Sequence, residues 1–271
     1  MPLAETNPTS LAYCLEAACM THRGNVRKKN EDAMLCGTVR HGITMEEPES
    51  PGAKIGPPWT VAVADGIGGN LAGERASHET VEYLAQLKDF SKEQLRDALL
   101  CLNDKLQDMG EKEPEMHGMG TTIAGLACGS EGLMVYHLGD SRVYRIQGDY
   151  LAPLTRDDSV AEMLRGQNEF PVDTLPASIR RALTQCLGGK FNEEDIKPHF
   201  LGLQIRKPTR FLLCTDGLSE SISHDELEKI CTASGSLFEI TESLMHTVLE
   251  GKAKDNITII LAEVSPLGDS A

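Results

Sequence analysis

Residues 121–147 decide the fold class, and they read TTIAGLACGSEGLMVYHLGDSRVYRIQ. Three apolar, strand-like runs follow one another here, at 121–128, 132–138 and 142–147, with short turns rich in Gly, Ser and Asp between them. Turns this short join antiparallel strands, whereas parallel strands need a long crossover connection. The segment therefore predicts antiparallel strands that pair through hairpins.

Helix-like segments lie in pairs outside this block instead of following each strand. Residues 73–88 and 91–109 form one pair, and Ser91 with Gln94 has capping-box spacing at the start of the second helix. Further helices are predicted at 159–165, 177–187, 224–233 and 236–250. Further strands are predicted at 11–20, 33–39, 59–64, 199–205, 209–214 and 256–264. Helix pairs that cover antiparallel sheets make an α+β layered sandwich, which the pattern favours over a doubly wound parallel sheet.

The composition describes a folded, acidic protein. The chain has 271 residues, 40% of them hydrophobic, and its 26 Lys and Arg against 41 Asp and Glu give a net charge of -15. Proteins that bind nucleic acid or anionic lipid need a basic surface, so we expect neither nucleic acid nor a membrane as a partner. The surplus of acids is either a solvated surface or a store of metal ligands.

The eight cysteines are scattered and form no CxxC pair. The N-terminal sequence MPLAETNPTS lacks the basic start and apolar core of a signal peptide. No apolar run approaches the ~18 residues that a membrane span needs. We therefore expect reduced cysteines, most of them filling the core of a cytoplasmic protein.

Acidic residues recur at the ends of the predicted strands. They are Glu31, Asp32, Asp65, Asp140, Asp216 and Asp255. Any one of them alone is most simply a solvated turn residue. If the strand ends share one rim, however, the carboxylates repel each other by roughly 1 kcal/mol at ~4 Å in water and by more near a protein surface. Such a cluster needs cations, and oxygen ligands without His or Cys select Mg²⁺ or Mn²⁺ rather than Zn²⁺.

Two such ions would suit the hydrolysis of a phosphoester, because they bind a phosphoryl group and activate water. Rival motifs are absent from the sequence. The Gly-rich GIGGNLAG at 66–73 lacks the Gly-Lys-Ser/Thr end of a P-loop, and we interpret its glycines as allowing the backbone to approach an ion or a helix start. Gly139-Asp140-Ser141 is not the GxSxG of a nucleophile elbow, and the histidines show no HExxH spacing.

Six motifs occur in order along the chain: Arg27-Lys28-Lys29-Asn30-Glu31-Asp32, VADGIGG, GMGTT, HLGDSRVYR, LCTDGLSES and KDNITII. Together they resemble the metal-dependent Ser/Thr protein phosphatases, the PPM or 2C type, in their bacterial form. The resemblance runs from about Thr21 to Val264. It implies a four-layer α-β-β-α sandwich, in which helix pairs flank two antiparallel sheets and a binuclear metal site lies at one end.

The resemblance also implies the ligands of two Mn²⁺ or Mg²⁺ ions. Asp65 matches the Asp that bridges them, and the carbonyl of Gly66 matches a backbone ligand of one ion. Asp216 and Asp255 match the remaining carboxylates of the first ion. Glu31 matches a ligand of the second ion that acts largely through water.

Other residues match supporting and catalytic roles. Asp140 matches the acid of a weaker third-ion site that shares Asp216, and Ser141 is a supporting residue. Asp32 matches an acid that holds metal-bound water, and Arg27 matches the arginine that binds the substrate phosphate. Asn256, next to Asp255, is a further supporting residue.

The implied mechanism is direct attack of metal-activated water on phosphorus without a phosphoenzyme. In animal members a His proposed as general acid follows the Asp-Gly, whereas this chain has Ile67, so the donor of the leaving-group proton is unassigned. The family's Asp-His-Ser reads Asp157-Asp158-Ser159 here. Residues 160–180 would form a flap that influences substrate choice. Arginines in or next to it either meet an acidic or phosphorylated peptide or are solvated charges: Arg165, Arg180 and Arg181.

We therefore expect a phosphatase that acts on phosphoserine and phosphothreonine in proteins and opposes a bacterial Ser/Thr kinase. We expect a monomer with one domain over residues 1–271, a surface loop at 41–58 and a short tail at 265–271. Two alternatives use the same fold: a catalytically silent phospho-binding regulatory protein, and a phosphatase of small phosphoesters. The first is disfavoured because none of the metal carboxylates is missing.

Overall fold

A computed structural model describes residues 12–37, 39–41, 44–45, 47–50, 54–68, 71–167, 174–189 and 195–267. Its strands are β1 (Tyr13–His22), β2 (Ala33–Cys36), β3 (Val39–His41), β4 (Trp59–Ala64), β5 (Gly66–Ile67), β6 (Gly120–Thr121), β7 (Ile123–Gly129), β8 (Gly132–Leu138), β9 (Arg142–Gln147), β10 (Tyr150–Pro153), β11 (Leu187–Gly188), β12 (His199–Leu203), β13 (Thr209–Cys214) and β14 (Ile257–Pro266). Its α-helices are α1 (Leu71–Leu84), α2 (Lys92–Lys112), α3 (Val160–Gln167), α4 (Ala177–Arg180), α5 (Asp216–Ser219), α6 (His224–Cys231) and α7 (Leu237–Glu250), and a 3₁₀ turn spans Pro114–Met116.

The strands form two large sheets and a small one. The first large sheet has the order β1-β14-β13-β9-β10, and the second has the order β12-β8-β7-β4-β2-β3. The small sheet consists of β11, β6 and β5. Neighbouring strands are antiparallel in all three sheets. The predicted α+β fold with antiparallel sheets is therefore confirmed.

The six-stranded sheet separates two hydrophobic clusters, because successive side chains of a strand point to opposite faces. In β4, Val61 and Val63 belong to a cluster shared with the five-stranded sheet and α7, whereas Ala62 and Ala64 belong to a cluster shared with α1 and α2. On the other side of the molecule α7 contacts β1 and β14. The helix pair α1 and α2 thus packs against the six-stranded sheet, and α6 and α7 pack against the five-stranded sheet.

The helices begin where small polar residues can cap them. Ser91 accepts a hydrogen bond from the backbone N–H of Gln94 at 3.3 Å, at the predicted start of α2. The reciprocal capping box is found in α7, between Ser236 and Glu239. Within the described ranges, no helix is both long enough and apolar enough to cross a lipid bilayer.

The stretch at 121–147 is divided between the two large sheets. β7 and β8 form the predicted hairpin, with Gly129 opposite Gly132. β9 instead pairs with β13, so the second predicted hairpin is wrong. The chain changes sheets at Gly139, whose φ of +104° lies in the left-handed region that favours glycine. This crossing brings Asp140 to the rim that both sheets share.

The strand ends that carry acids meet at that rim because the pairs are antiparallel. The start of β2 lies beside the end of β4, with Ala33 opposite Ala64. In the same way β7 starts beside the end of β8, and β14 starts beside the end of β13. The sequence left open whether the acid-bearing strand ends share one rim, and in the structure they do.

The predicted helix over 177–187 is shorter in the structure. It ends at Arg180, Leu183 then forms a bridge to Ser159, and the last residues become β11. Pairing of this segment with β6 overrides its local helix propensity, as tertiary contacts commonly do. The predicted flap at 160–180 contains α3 and α4, and its residues 168–173 lie outside the described ranges.

The structure bears on two further segment predictions. In the predicted surface loop at 41–58, of which residues 42–43, 46 and 51–53 lie outside the described ranges, Glu49 and Ile55 form bridges to β1 and Met45 is buried. The predicted tail at 265–271 begins inside β14, where Ser265 pairs with Cys14. In both cases backbone groups find partners on β1, which a short-range pattern does not reveal. Residues 268–271 lie outside the described ranges.

Gly125 provides a test of the packing between β7 and β8. A Cβ at this position would stand 2.1 Å from Cζ of Tyr136, which is fully buried and bonded through its hydroxyl to Thr60. We expect Gly125→Ala to lower the free energy of unfolding by about 1–3 kcal/mol in urea denaturation, because the ring must move. Gly202→Ala in β12 is the matched control, because no described residue other than its chain neighbours comes within 4 Å of the new methyl group. Equal stability of the two variants would contradict this packing.

Candidate active site

A cleft of about 400 Å³ opens at the rim where the acid-bearing strands end. The described residues that line it are Arg27, Glu31, Asp65, Gly66, Ile67, Gly68, Thr122, Asp140, Arg181, Ala182, Leu183, Asp216, Asp255 and Asn256. Of the predicted site residues, only Asp32 and Ser141 are missing from this lining, and both are buried. No His or Cys occurs among the described lining residues.

Asp32 is fully buried and is held by two hydroxyl groups, one from β14 and one from the residue that follows β13. The Oγ1 atoms of Thr215 and Thr258 donate hydrogen bonds to Asp32 Oδ2 at 2.9 Å and 2.7 Å. Asp32 Oδ1 has no hydrogen-bond partner in the described part of the chain. Burial raises the pKa of Asp32 to about 7, against the opposing effect of the two hydroxyl groups. One carboxyl oxygen is therefore left for a proton, a water molecule or a ligand.

Three other aspartates lie half-buried at the same rim. Burial raises the pKa of Asp65 well above its usual range, and the charges of Asp32 and Asp216 raise it further. Burial, and next the charge of Asp216, raise the pKa of Asp140 to about 8. The pKa of Asp216 is raised by burial and by the charge of Asp255, and its Oδ1 has no hydrogen-bond partner among the described residues. Without a cation, some of these groups keep a proton at neutral pH.

Arg27 forms an ion pair at the mouth of the cleft. Its Nη2 donates to Asp255 Oδ2 at 2.8 Å, and this hydrogen bond is the main cause of the raised pKa of Arg27. The other oxygen of Asp255 accepts the backbone N–H of Asn256 at 2.9 Å. Both partners of the ion pair are partly exposed, so the guanidinium can still reach a molecule in the cleft.

Asn256, just before β14, forms hydrogen bonds that hold the loop of Arg27 and Glu31 in place. Its Oδ1 accepts the backbone N–H of Glu31 at 2.8 Å. Its Nδ2 donates to the carbonyl groups of Arg23 and Lys29 at 3.0 Å and 2.8 Å. One buried amide thus satisfies three backbone groups of a loop without regular structure, which fixes the position of the loop.

Gly66 and Gly73 allow two backbones to approach each other beside Glu31. A Cβ on Gly66 would stand 2.3 Å from the carbonyl oxygen of Gly73. A Cβ on Gly73 would stand 2.5 Å from Glu31 Oε2 and 2.8 Å from the carbonyl oxygen of Gly66. The two predicted ligand oxygens therefore lie next to the same glycine. This agrees with our interpretation of GIGGNLAG, although the sequence pattern did not single out Gly73.

Thr122 is a site residue that the strand-end pattern did not identify, and its only signal was the motif GMGTT. Its Oγ1 accepts the backbone N–H of Asp65 at 3.1 Å, and its own N–H donates to the Asp65 carbonyl at 2.9 Å. The hydroxyl groups of Thr122 and Ser141 are 2.7 Å apart. Because Ser141 follows Asp140, Thr122 fixes the loops of Asp65 and Asp140 relative to each other.

Of the three arginines considered near the flap, Arg181 lines the cleft, where it pairs with Glu220 at 3.0 Å. Arg165 and Arg180 line a neighbouring cavity, in which Arg181 also takes part. The structure thus places Arg181 in the cleft itself, and Arg165 and Arg180 in a neighbouring cavity that Asp140 also lines.

The residues present fit a divalent cation that prefers oxygen ligands. Asp32 and Asp216 each have a buried oxygen without a partner in the described part of the chain, which is unfavourable unless a ligand compensates for it. Carboxylate and carbonyl oxygens suit Mg²⁺ and Mn²⁺. In the ranges that the structure describes, no three His, Cys, Asp or Glu side chains are already gathered around one point. The candidate ligands therefore share one cleft without forming a closed coordination shell. Both oxygens of Asp255 already accept hydrogen bonds, from Arg27 and from the backbone N–H of Asn256.

Relatives of the chain are found among bacterial protein phosphatases. The serine/threonine protein phosphatase PstP of Mycobacterium tuberculosis is 29% identical over 256 residues, which cover 92% of this chain and 45% of PstP. The chain thus spans less than half the length of that relative. Protein phosphatase PhpP of Streptococcus pneumoniae is 29% identical over 260 residues, which cover 93% of this chain and 98% of PhpP.

The fold and the family agree with these relatives. The solved catalytic domain of PstP in complex with 2 manganese ions matches with a TM-score of 0.72 and 28% identity, covering 93% of this chain and 99% of that one. The family model described as protein phosphatase 2C matches residues 54–262. Because that match spans most of the sequence and includes the rim aspartates after β4, β8 and β13 and before β14, the chain belongs to the protein phosphatase 2C family.

Proposed function

We propose that the chain is a protein serine/threonine phosphatase that hydrolyses phosphoserine and phosphothreonine at a binuclear Mn²⁺ or Mg²⁺ site. The observation that carries the proposal is the group of half-buried, mutually repelling aspartates that shares one cleft with Arg27. The names of the relatives and the two manganese ions in the PstP structure support it.

The proposed ligands are the oxygens at the rim. Asp65 would serve both ions, the carbonyl of Gly66 one of them, and Asp216 and Asp255 the first ion. Glu31, next to Gly66, would hold the second ion largely through water. When bound, divalent ions neutralise carboxylates, activate water and bind phosphoryl oxygens. Asp140 and Asp216 would hold a third, weaker ion.

Asp32 and Arg27 are proposed to act on the reacting groups. Since Thr215 and Thr258 occupy one oxygen of Asp32, the other can accept a hydrogen bond from the attacking water. The guanidinium of Arg27 can bind two phosphate oxygens at once, a geometry that Lys lacks. Water would then attack phosphorus and lose one proton to solvent in the cleft. The P–O bond to the serine or threonine oxygen breaks, and the released oxygen takes a proton from the same solvent, since Ile67 cannot supply one.

The biological setting is part of the proposal. We propose phosphorylated proteins as substrates and a Ser/Thr kinase as the opposing enzyme, because the relatives are named protein phosphatases. All eight cysteines are free thiols, which fits action in the reducing cytoplasm. The monomeric state and the single domain over residues 1–271 remain predictions.

Asp216→Asn tests the proposed chemistry. We expect wild type to hydrolyse a phosphothreonine peptide with Mn²⁺ and to lose this activity in EDTA. The substitution should lower kcat by about 100-fold or more, because it removes a carboxylate proposed to hold an ion that activates water and binds phosphoryl oxygens. Asp108→Asn in α2, which breaks only an exposed pair with Lys112, is the matched control. A rate for Asp216→Asn within a few-fold of wild type would contradict the proposed mechanism.

A substrate panel separates the alternatives that share this fold. Turnover of phosphopeptides well above that of small phosphoesters supports a protein phosphatase, and the reverse ranking supports a metabolite phosphatase. Mn²⁺ binding without turnover of either class would indicate a silent phospho-binding protein.

Arg27→Lys tests the proposed role of the guanidinium. It keeps the positive charge and loses the planar fork, so we expect kcat/KM on the phosphopeptide to fall by about 10-fold, with a rise in KM. Lys28→Arg, a substitution at the exposed neighbouring residue, should leave both constants near wild type. Unchanged kinetics for Arg27→Lys would remove Arg27 from the phosphate site.

The raised pKa values of Asp32 and Asp140, about 7 and about 8, predict how the stability of the metal-free protein depends on pH. In the unfolded chain these groups lose their protons near pH 4, so between about pH 4 and 8 the folded state binds more protons. The free energy of unfolding in EDTA should therefore fall as pH rises through this window, by at most about 1.4 kcal/mol per unit for each group.

Saturating Mn²⁺ at pH 8 should reverse this loss, by about 2.7 kcal/mol at a hundred times its dissociation constant. Urea denaturation at pH 5.5, 6.5 and 8, with EDTA or with Mn²⁺, measures both effects. A stability in EDTA that does not change with pH, or that Mn²⁺ does not alter, would contradict a charged and buried metal site.

A further inference from the structure

The turn that carries Asp140 is in contact with Thr122 on one side and with Asp158 on the other. Thr122 packs so closely against Gly139 that a Cβ on this glycine would stand 2.7 Å from Thr122 Cγ2. Asp158 Oδ2 accepts a hydrogen bond from the backbone N–H of Gly139 at 2.9 Å. The backbone N–H of Asp158 in turn donates to the Gly139 carbonyl at 2.9 Å. Asp158 thus satisfies both backbone groups of the residue directly before Asp140.

The second oxygen of Asp158 is also fully engaged. Gln185 Nε2 donates to Asp158 Oδ1 at 2.9 Å, and His199 Nε2 lies 3.0 Å from the same oxygen. The ring of His199 stacks on the ring of His137, with centroids 4.6 Å apart and planes inclined by 17°. Asp158 is therefore held in one orientation by groups from the chain after the flap, from β12 and, through the stacked rings, from β8.

Backbone hydrogen bonds around Asp158 join the segment that leads into the flap, at Val160, to the segment that follows the flap, at Ala182. The Val160 N–H donates to the Ala182 carbonyl, and the Thr184 N–H donates to the Asp158 carbonyl, both at 2.8 Å. Ser159 and Leu183 form a bridge between these two bonds. One residue thus connects the turn of Asp140 to both ends of the segment beside the cleft.

We propose that Asp158 is the positioning residue for Asp140 and thereby for the weaker third-ion site. This rests on the proposed function, in which Asp140 is a ligand. The resemblance places a His at this position in relatives, whereas a carboxylate can accept from Gly139, Gln185 and His199 at once, which one imidazole cannot do. Groups that orient a metal ligand commonly change metal affinity by about 10–100-fold when they are removed.

The test is Mn²⁺ binding, measured by the electron paramagnetic resonance signal of free Mn²⁺ up to millimolar concentration. Asp158→Ala should weaken the weakest component of the isotherm by about 10-fold and leave the tight components unchanged. Asp158→Asn, which keeps an oxygen for the Gly139 N–H, should recover the affinity to within a few-fold of wild type. Asp140→Asn should abolish the same component.

Glu162→Gln in α3 is the matched control, because it also removes one acidic charge near the flap, and its pairs with Arg156 and Arg165 do not touch the Gly139 turn. Circular dichroism in EDTA at the temperature of the titration verifies that each variant is folded. If Asp158→Ala is not folded there, the comparison uses Asp158→Asn and His199→Phe. His199→Phe keeps an aromatic ring against His137 and removes the bond to Asp158, so it should weaken the component by a few-fold.

The inference is overturned if Asp158→Ala, or His199→Phe in its place, binds Mn²⁺ like wild type, or if Glu162→Gln weakens binding equally. It is also overturned if the wild-type isotherm has no weak component that Asp140→Asn removes. Failure of the proposed function is recognised separately, since Asp216→Asn would then retain both Mn²⁺ binding and turnover. If Asp216→Asn loses both while Asp158→Ala keeps the weak component, only the role of Asp158 is rejected.

Discussion

Like-charged carboxyl groups gathered at one rim, with Asp32 fully buried and the other aspartates half-buried, are the constraint on which this structure depends. Burial and mutual repulsion raise the pKa values of Asp32, Asp65, Asp140 and Asp216, so folding the rim without a cation is unfavourable. At an effective dielectric of about 20, two charges ~4 Å apart repel by roughly 4 kcal/mol. The two sheets supply the rigidity that keeps these groups together, because each acid lies at or beside the end of a well-packed strand.

The groups that orient these acids are mostly neutral. Thr215 and Thr258 hold Asp32, Thr122 holds the backbone of Asp65, and Asn256 holds the loop of Glu31. Hydroxyl and amide groups fix a carboxylate without neutralising it, so its charge remains available to a ligand. The ion pair of Arg27 with Asp255 is the exception, and it lies at the exposed mouth of the cleft, where a substrate phosphate can compete for the arginine.

Hydrogen bonds of Asp158 connect the flap to the rim. Its hydrogen bonds join the turn before Asp140 to the segments that enter and leave the flap. The segments that enter and leave the flap are therefore tied to a proposed ligand rather than attached as an independent loop. This gives a physical reason why an acid suits a position where the resemblance places a histidine.

The sequence by itself determined the fold class, the acids at the strand ends and the order of the motifs, because apolar runs and turn residues are local signals. Only the tertiary structure decided that β9 joins the other sheet. It likewise decided that residues 181–187 contain a bridge and the start of β11 instead of a helix, and that Glu49 and Ile55 form bridges to β1. Gly73, Thr122 and Asp158 became site residues through contacts with partners far away in the chain. Convergence at one rim is likewise a property of antiparallel pairing between distant strands, so a pattern along the chain could suggest it and only the folded sheets could establish it.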